Sequence, residues 1–276
     1  MVRRRATKRV LLHQRDMPES FYDQLAPGRF RSNPATVGPW DKSLQHGGPP
    51  AALIGRTLEQ FAARPGLRVA RISIEILGPI RLDELSVEVR MVRPGERIEL
   101  LEATASAGGR TVLRANAWRL RTEPGRSPAI SVEEKPPALP AEQPPTIFFT
   151  GAESFPYGAA LEWRFVEGNY SALGPATVWT RCRIPLVSGE PISPLCRALA
   201  MVDSANGISA ELELKRWTFV PVDLTLVLHR HPRGEWVGMS ARTLIEPDGV
   251  GMSFTRLFDQ EGYFGRSLHT LYVTPR

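Results

Sequence analysis

The chain repeats one strand pattern, and that repeat limits what it can fold into more than any other feature. Val92–Leu120, VRPGERIELLEATASAGGRTVLRANAWRL, lies without a gap over Ile245–Val273, IEPDGVGMSFTRLFDQEGYFGRSLHTLYV, at an offset of 153 (245 − 92). Pro94 falls on Pro247, Gly109 on Gly262 and Asn116 on His269. Few residues are identical, but the turns and the apolar positions coincide. Internal repetition on this scale reads as two like units in one chain.

Upstream, with the offset changed by one residue, Arg71–Leu77 (RISIEIL) aligns with Asp223–His229 (DLTLVLH). Both alternate with period 2, as strands with one buried face do. Ile72, Ile74 and Ile76 correspond to Leu224, Leu226 and Leu228, and Ser73 to Thr225. A helix precedes each block. Pro49–Phe61 has an early proline, an apolar stripe and a Pro65–Gly66 stop; Pro194–Asp203 is similar, with Asn206–Gly207 as terminator. Each half therefore reads as α+β, one long central helix wrapped by a curved antiparallel sheet, which resembles the hotdog arrangement. Pro124, Pro128, Pro136, Pro137, Pro140, Pro144 and Pro145 make the stretch between the halves an extended linker. The expected division is a basic arm over 1–20, a first unit over 21–121, a linker over 122–154 and a second unit over 155–276. Pairing the two sheets within one chain removes two exposed edges and creates a tandem double hotdog with a seam.

The formal charge of +6 favours anionic partners, among which the phosphates of coenzyme A count. No phosphate loop, helix-turn-helix or RNP-like motif is present, so nucleic acid is not expected. No apolar run approaches the roughly 20 residues of a membrane span, and no apolar segment follows the basic start as a secretory signal requires. Cys182 and Cys196 form neither a metal-ligand pair nor a disulfide framework, which fits a reducing cytoplasm.

Four strings carry a resemblance: HGGPPAAL (His46–Leu53), VDSANGIS (Val202–Ser209), DLTLVLHRHPRGEWVGM (Asp223–Met239) and DGVGMSFTRLFDQEGYFGRS (Asp248–Ser267). They resemble actinobacterial acyl-CoA thioesterase II-like proteins, over about 21–121 and 155–274. The resemblance implies hydrolysis of an acyl-CoA to fatty acid and free CoA with no metal or organic cofactor. It also implies an aspartate on the second helix, a hydroxyl residue on the next strand and a glutamine on the final strand, together holding a nucleophilic water. Asp203 matches the aspartate. His269 stands at the glutamine position. The direct alignment puts Pro221 at the hydroxyl position, and Thr225 lies four residues on. A homo-oligomer stays open; stable insertion into a membrane is not expected, since no apolar run is long enough.

Thioester hydrolysis needs an activated water, a polarised carbonyl and an apolar groove. Asp203 follows the apolar run Leu195–Val202, where burial would raise its pKa; a helix-end aspartate bonded to nearby amides is the plainer reading. His269 could orient a water or act as base, or be a half-buried strand histidine. Thr225 could bond the water, or serve only as a good strand former. The turn His46–Gly47–Gly48 before the first helix could bind the thioester carbonyl or line the CoA channel through free amides, or simply turn the chain. Asn206 could support Asp203 or end the helix. His229 and His231 are too few for a metal site. No G-x-S-x-G elbow is present, which argues against a serine hydrolase. Two other functions stay open: a non-catalytic acyl-CoA or lipid-binding protein, favoured by the departures from the three-residue pattern, and a hydratase or dehydratase of enoyl or hydroxyacyl thioesters, which His46 invites.

Overall fold

The computed structural model describes residues 18–145 and 155–276. Most of the expected basic arm, and residues 146–154 of the expected linker, lie outside the described residues. The first half has strands β1 (Tyr22–Ala26), β2 (Arg29–Ser32), β3 (Leu67–Ile76), β4 (Glu84–Arg93), β5 (Ile98–Ala107) and β6 (Arg110–Arg121), with helix α1 (Gly48–Gln60) between β2 and β3. The second half has a short helix α2 (Pro156–Ala159), strands β7 (Leu161–Glu167) and β8 (Ala176–Cys182), helices α3 (Pro194–Val202) and α4 (Ala205–Ile208), and strands β9 (Trp217–Pro221), β10 (Asp223–Leu228), β11 (Val237–Ile245), β12 (Val250–Asp259) and β13 (Gly262–Pro275).

All thirteen strands join one sheet in the order β1-β2-β4-β5-β6-β3-β10-β13-β12-β11-β8-β7, with β9 paired to β13. The order is the same read from either end, β3 matching β10, β6 matching β13 and β5 matching β12. The repeat is thus visible as connectivity. The halves meet where β3 and β10 run antiparallel, Ile74 opposite Leu224 and Ile72 opposite Leu226. These four side chains are buried, each worth about 1.5–3 kcal/mol of hydrophobic stabilisation. Arg71, Ser73, Glu75 and Val227 take the other face, as the period of 2 requires.

Strand pairing corrects the repeat register. Ile74 pairs with Ala115, and Leu226, its equivalent, pairs with Ser267. Ala115 pairs with Ala103, and Ser267 with Thr255. The offset is therefore 152 (226 − 74, 267 − 115 and 255 − 103) through the whole block, with no change to 153. A slip of one residue exchanges the two faces of a strand. The counterpart of His269 is accordingly Ala117, which is buried, and Asn116 lies on the other face between Ser73 and Glu102.

Helices α1 and α3 pack against each other inside the sheet. Three glycines permit the approach. A Cβ on Gly55 would lie 2.3 Å from Leu199 Cδ1, one on Gly48 2.3 Å from the Ala200 carbonyl oxygen, and one on Gly47 2.8 Å from Asp203 Oδ2. α1 has 13 residues and α3 only 9, because the chain turns at Asp203 before the four-residue α4. Residues 122–145 contain neither helix nor strand. Glu133 in this stretch pairs with Arg256 at 3.0 Å and with Arg266, which ties it to the outer face of β12 and β13.

Candidate active site

Asp203 sits at the C-terminal end of α3 and meets the N-terminal end of α1. Its carboxylate receives the backbone N–H groups of Gly47 and Gly48. A helix N-terminus favours an anion there, yet burial outweighs the two bonds. The group is 6% exposed, and desolvation pushes its pKa up to about 6. The glycines are required because any Cβ at Gly47 would strike the carboxylate. Expected to offer free amides to a substrate, this turn instead engages them on the aspartate.

His46 Nδ1 lies 3.1 Å from Asp203 Oδ2 and 3.1 Å from the Gly48 nitrogen. The Gly48 N–H, shared with the carboxylate, donates to this ring nitrogen. The imidazole stacks on Tyr157, centroids 3.8 Å apart and planes within 5°. The Tyr157 hydroxyl donates to the Ala200 carbonyl at 2.6 Å and shares a bond with Ser204 Oγ at 2.9 Å. Burial pushes the His46 pKa down to about 3, reinforced by His269, so the ring is neutral at physiological pH. Tyr157 belongs to a four-residue helix at the start of the second half, and nothing in its local sequence marked it as part of a site.

His269 enters from β13. Its Nε2 is 3.9 Å from Asp203 Oδ1, and Oδ1 and both ring nitrogens have no hydrogen-bond partner among the described residues. Desolvation lowers its pKa to about 4, against a smaller opposing pull from Asp223. The two facing atoms are too far apart to bond directly and close enough to share one water at about 2.8 Å from each. Beside His269 on the inner face of the sheet lie Ser253, directly opposite it on β12, and the next inward pair, Thr255 and Ser267. All three are buried and their hydroxyls also lack partners among the described residues. An unpartnered buried polar group costs about 1–3 kcal/mol, so four adjacent ones form an energetically expensive patch. The equivalent inward positions of the first half, at the offset of 152, are Leu101, Ala103, Ala115 and Ala117. The repeat therefore carried the signal for this row, hidden by the register slip.

A cavity of about 20 Å³ adjoins Asp203, lined among others by His46, Trp40, Tyr170, Asn206 and Phe219. That volume suits one water. Asn206 reaches this wall and donates from Nδ2 to the Phe219 carbonyl at 3.3 Å. Thr225 does not join the site, which corrects the sequence expectation. It pairs with Leu268 and Ser73, whose side chains take the sheet face opposite His269, while its neighbours Leu224 and Leu226 point inward. The alternation in DLTLVLH already dictates this.

Two cations that follow β10 are engaged with carboxylates. Arg230 makes a two-pronged pair with buried Asp259, and Arg233 pairs with Glu261. His231 Nε2 is 2.8 Å from the Val69 carbonyl oxygen. No cluster of three metal-ligating side chains occurs among the described residues. A groove of about 820 Å³ lies elsewhere, between Trp217, Thr243 and Pro275. It carries Glu211, Glu246 and Asp248 and no Lys or Arg, so it repels a polyphosphate. No helix of the described residues is long and apolar enough to cross a membrane.

Residues 133–273 match the acyl-CoA thioesterase C-terminal domain, and residues 36–120 match the acyl-CoA thioesterase N-terminal domain. The chain belongs to the acyl-CoA thioesterase family. Solved structures agree on the fold. An acyl-CoA thioesterase II, TesB2, from Mycobacterium marinum is 17% identical with a TM-score of 0.64, covering 92% of this chain and 95% of its own. A Thermobifida fusca protein provisionally assigned as a thioesterase II is 17% identical with a TM-score of 0.71, covering 93% and 96%. A hot dog fold protein of unknown function from Alicyclobacillus acidocaldarius is 14% identical with a TM-score of 0.68, covering 93% and 97%. The fold is thus a hotdog-type α+β fold. No curated protein matches the chain. Two of the four strings that carry the resemblance, HGGPPAAL and VDSANGIS, meet at one place: the α3–α4 turn at Asp203 against the HGG turn.

Proposed function

We propose that the protein hydrolyses acyl-CoA thioesters to a free acid and CoA, with Asp203 as general base, in a chain built as two hotdog units, 21–121 and 155–276, fused in tandem. The observation that carries this reading is the Asp203 carboxylate. It is desolvated, its pKa is near 6, and its unpartnered Oδ1 faces the unpartnered His269 Nε2 at 3.9 Å. A water between these atoms is oriented by His269 and loses a proton to Asp203 as its oxygen attacks the thioester carbon. The C–S bond then breaks, and the proton held by Asp203 goes to the departing thiolate. His46, stacked on Tyr157, and the Gly47 and Gly48 amides hold the carboxylate in place, and Asn206 forms the wall beside it. No metal or organic cofactor takes part in these steps. A hydratase reading keeps one supporting observation, the His46–Asp203 contact of 3.1 Å at a helix start.

The test is thiol release from a panel of acyl-CoAs. Asp203→Asn is expected to lower kcat by about 10²–10⁴-fold, the usual share of a general base. In the parent, kcat should rise as pH passes through about 6, because the carboxylate is the active form. Undiminished turnover in the variant would remove Asp203 from the mechanism. Water addition to an enoyl-CoA without thiol release would favour the hydratase.

A further inference from the structure

We propose that the basic segment at the start of this chain, residues 1–17, docks within the same molecule into the acidic groove between Trp217, Thr243 and Pro275. The inference goes beyond hydrolysis and does not rest on it. Residues 1–17 carry Arg3, Arg4, Arg5, Lys8, Arg9 and Arg15 against Asp16 alone, a net charge of +5 (6 − 1). The whole chain has +6 (35 − 29), so residues 18–276 together hold only +1 (29 − 28). The groove, of about 820 Å³, has the opposite character. Glu211, Glu246 and Asp248 line it without any Lys or Arg, and none of the three is ion-paired among the described residues. Its floor is apolar, built from Leu212, Trp217, Leu244, Ile245 and Val273, and Leu244 is 59% exposed. An exposed apolar surface beside charge of one sign suits a partner that is apolar and oppositely charged.

The segment has both parts of that match. Val10, Leu11 and Leu12 follow directly on Lys8 and Arg9, so an apolar triplet beside cations meets an apolar floor beside carboxylates. The tether allows it. The Phe21 carbonyl accepts the Asn33 N–H at 2.9 Å, and the stretch from Asn33 to Trp40, seven residues (40 − 33), spans at most about 25 Å. Trp40 packs edge-on against Phe219, centroids 5.3 Å apart, in the small core cluster against which Leu212, Trp217 and Ile245 of the groove also pack. The stretch from Val10 to Phe21, eleven residues (21 − 10), reaches up to about 36–40 Å, enough to bring Val10–Leu12 over the groove. Exposed ion pairs are individually weak and screened by salt. A tethered segment, however, faces its site at an effective concentration of the order of millimolar, so contacts too weak to hold a free peptide hold this one. Trp40 and Phe219 also line the cavity beside Asp203, so groove and candidate site share one packed cluster as a wall.

Hydrogen exchange and carbodiimide cross-linking of the full chain at low salt test the proposal. The backbone amides of Val10–Gln14 should exchange about 10-fold slower in the parent than in the double variant Glu246→Gln/Asp248→Asn, which corresponds to a segment docked for about nine-tenths of the time. The carbodiimide should join Lys8 to Glu211, Glu246 or Asp248. Salt at about 1 M, where the screening length falls to about 3 Å, should abolish the protection. In an equal mixture of isotopically light and heavy protein, each cross-linked peptide pair should carry a single label. Fast exchange of these amides in the parent, or protection that the groove substitutions leave unchanged, overturns the proposal. Cross-linked pairs that combine light and heavy protein also overturn it, and make a second copy of the chain the source of the docked segment.

Discussion

The inward faces of β5–β6 and β12–β13 share one backbone plan and carry opposite chemistry. In the first half, Leu101, Ala103, Ala115 and Ala117 are buried and apolar; in the second, Ser253, Thr255, Ser267 and His269 are equally buried and unpartnered. The helix ends show a parallel contrast. Glu59 lies in the last turn of α1, and Asp203 at the end of α3. Each carboxylate closes the N-terminal end of the opposite helix. Glu59 Oε2, however, accepts from the Ser193 hydroxyl at 2.5 Å, and Ser193 in turn caps α3, whereas Asp203 keeps one oxygen free toward a histidine. Duplicated geometry thus supplies two carboxylate-capped helix ends, and only the end joined to the polar row has the parts of a reaction centre.

The sharpest way to break that contrast is to neutralise both carboxylates. Asp203→Asn should cost the full general-base effect in thiol release. Glu59→Gln should leave kcat within about twofold and act only on stability, by about 1–2 kcal/mol for a weakened buried bond. A comparable loss of kcat in both would mean that the two ends work as a pair. Next in size is His269. His269→Leu should lower kcat by about 10–100-fold, because one polar contact to the water disappears, while His269→Gln, which can still bond a water, should retain most of the rate. Equal losses in the two variants would show that the imidazole itself, rather than a polar contact at that place, is needed.

The sequence exposed the plan of this molecule better than its working face. The two helices, the repeated strand blocks and their order followed from period-2 alternation and proline placement, because those patterns are local; which strands join the halves did not. Asp203 was legible as a carboxylate at the end of an apolar run, inside the string VDSANGIS. The offset of 153 matched turns and apolar positions and yet inverted the faces, since glycine-rich hairpins tolerate a one-residue shift while side-chain direction does not. That slip paired His269 with Asn116 and concealed the hydroxyl row. Of the two roles open to Thr225, the bond to the water is ruled out because its neighbours Leu224 and Leu226 point inward. The stacking of Tyr157 on His46 joins residues 111 positions apart (157 − 46), and no local pattern encodes such a contact.

The smallest effect tests the energetic side of the contrast. Ser267 and Ala115 occupy the same place in the two halves, so exchanging their character should move stability in opposite directions. Ser267→Ala removes a buried hydroxyl that lacks a partner among the described residues. Its desolvation penalty disappears with almost no loss of packing, and the variant should gain about 1 kcal/mol. Ala115→Ser introduces such a hydroxyl where the fold has none and should lose about as much. For a chain of this size either change amounts to roughly 2–4 °C in Tm, measurable by calorimetry. Stabilisation by Ser267→Ala together with reduced turnover would show that the polar row is kept at a cost in stability because the reaction uses it. A loss of Tm in both variants would mean that Ser267 is well satisfied in the folded protein, and the energetic difference between the two halves would fall.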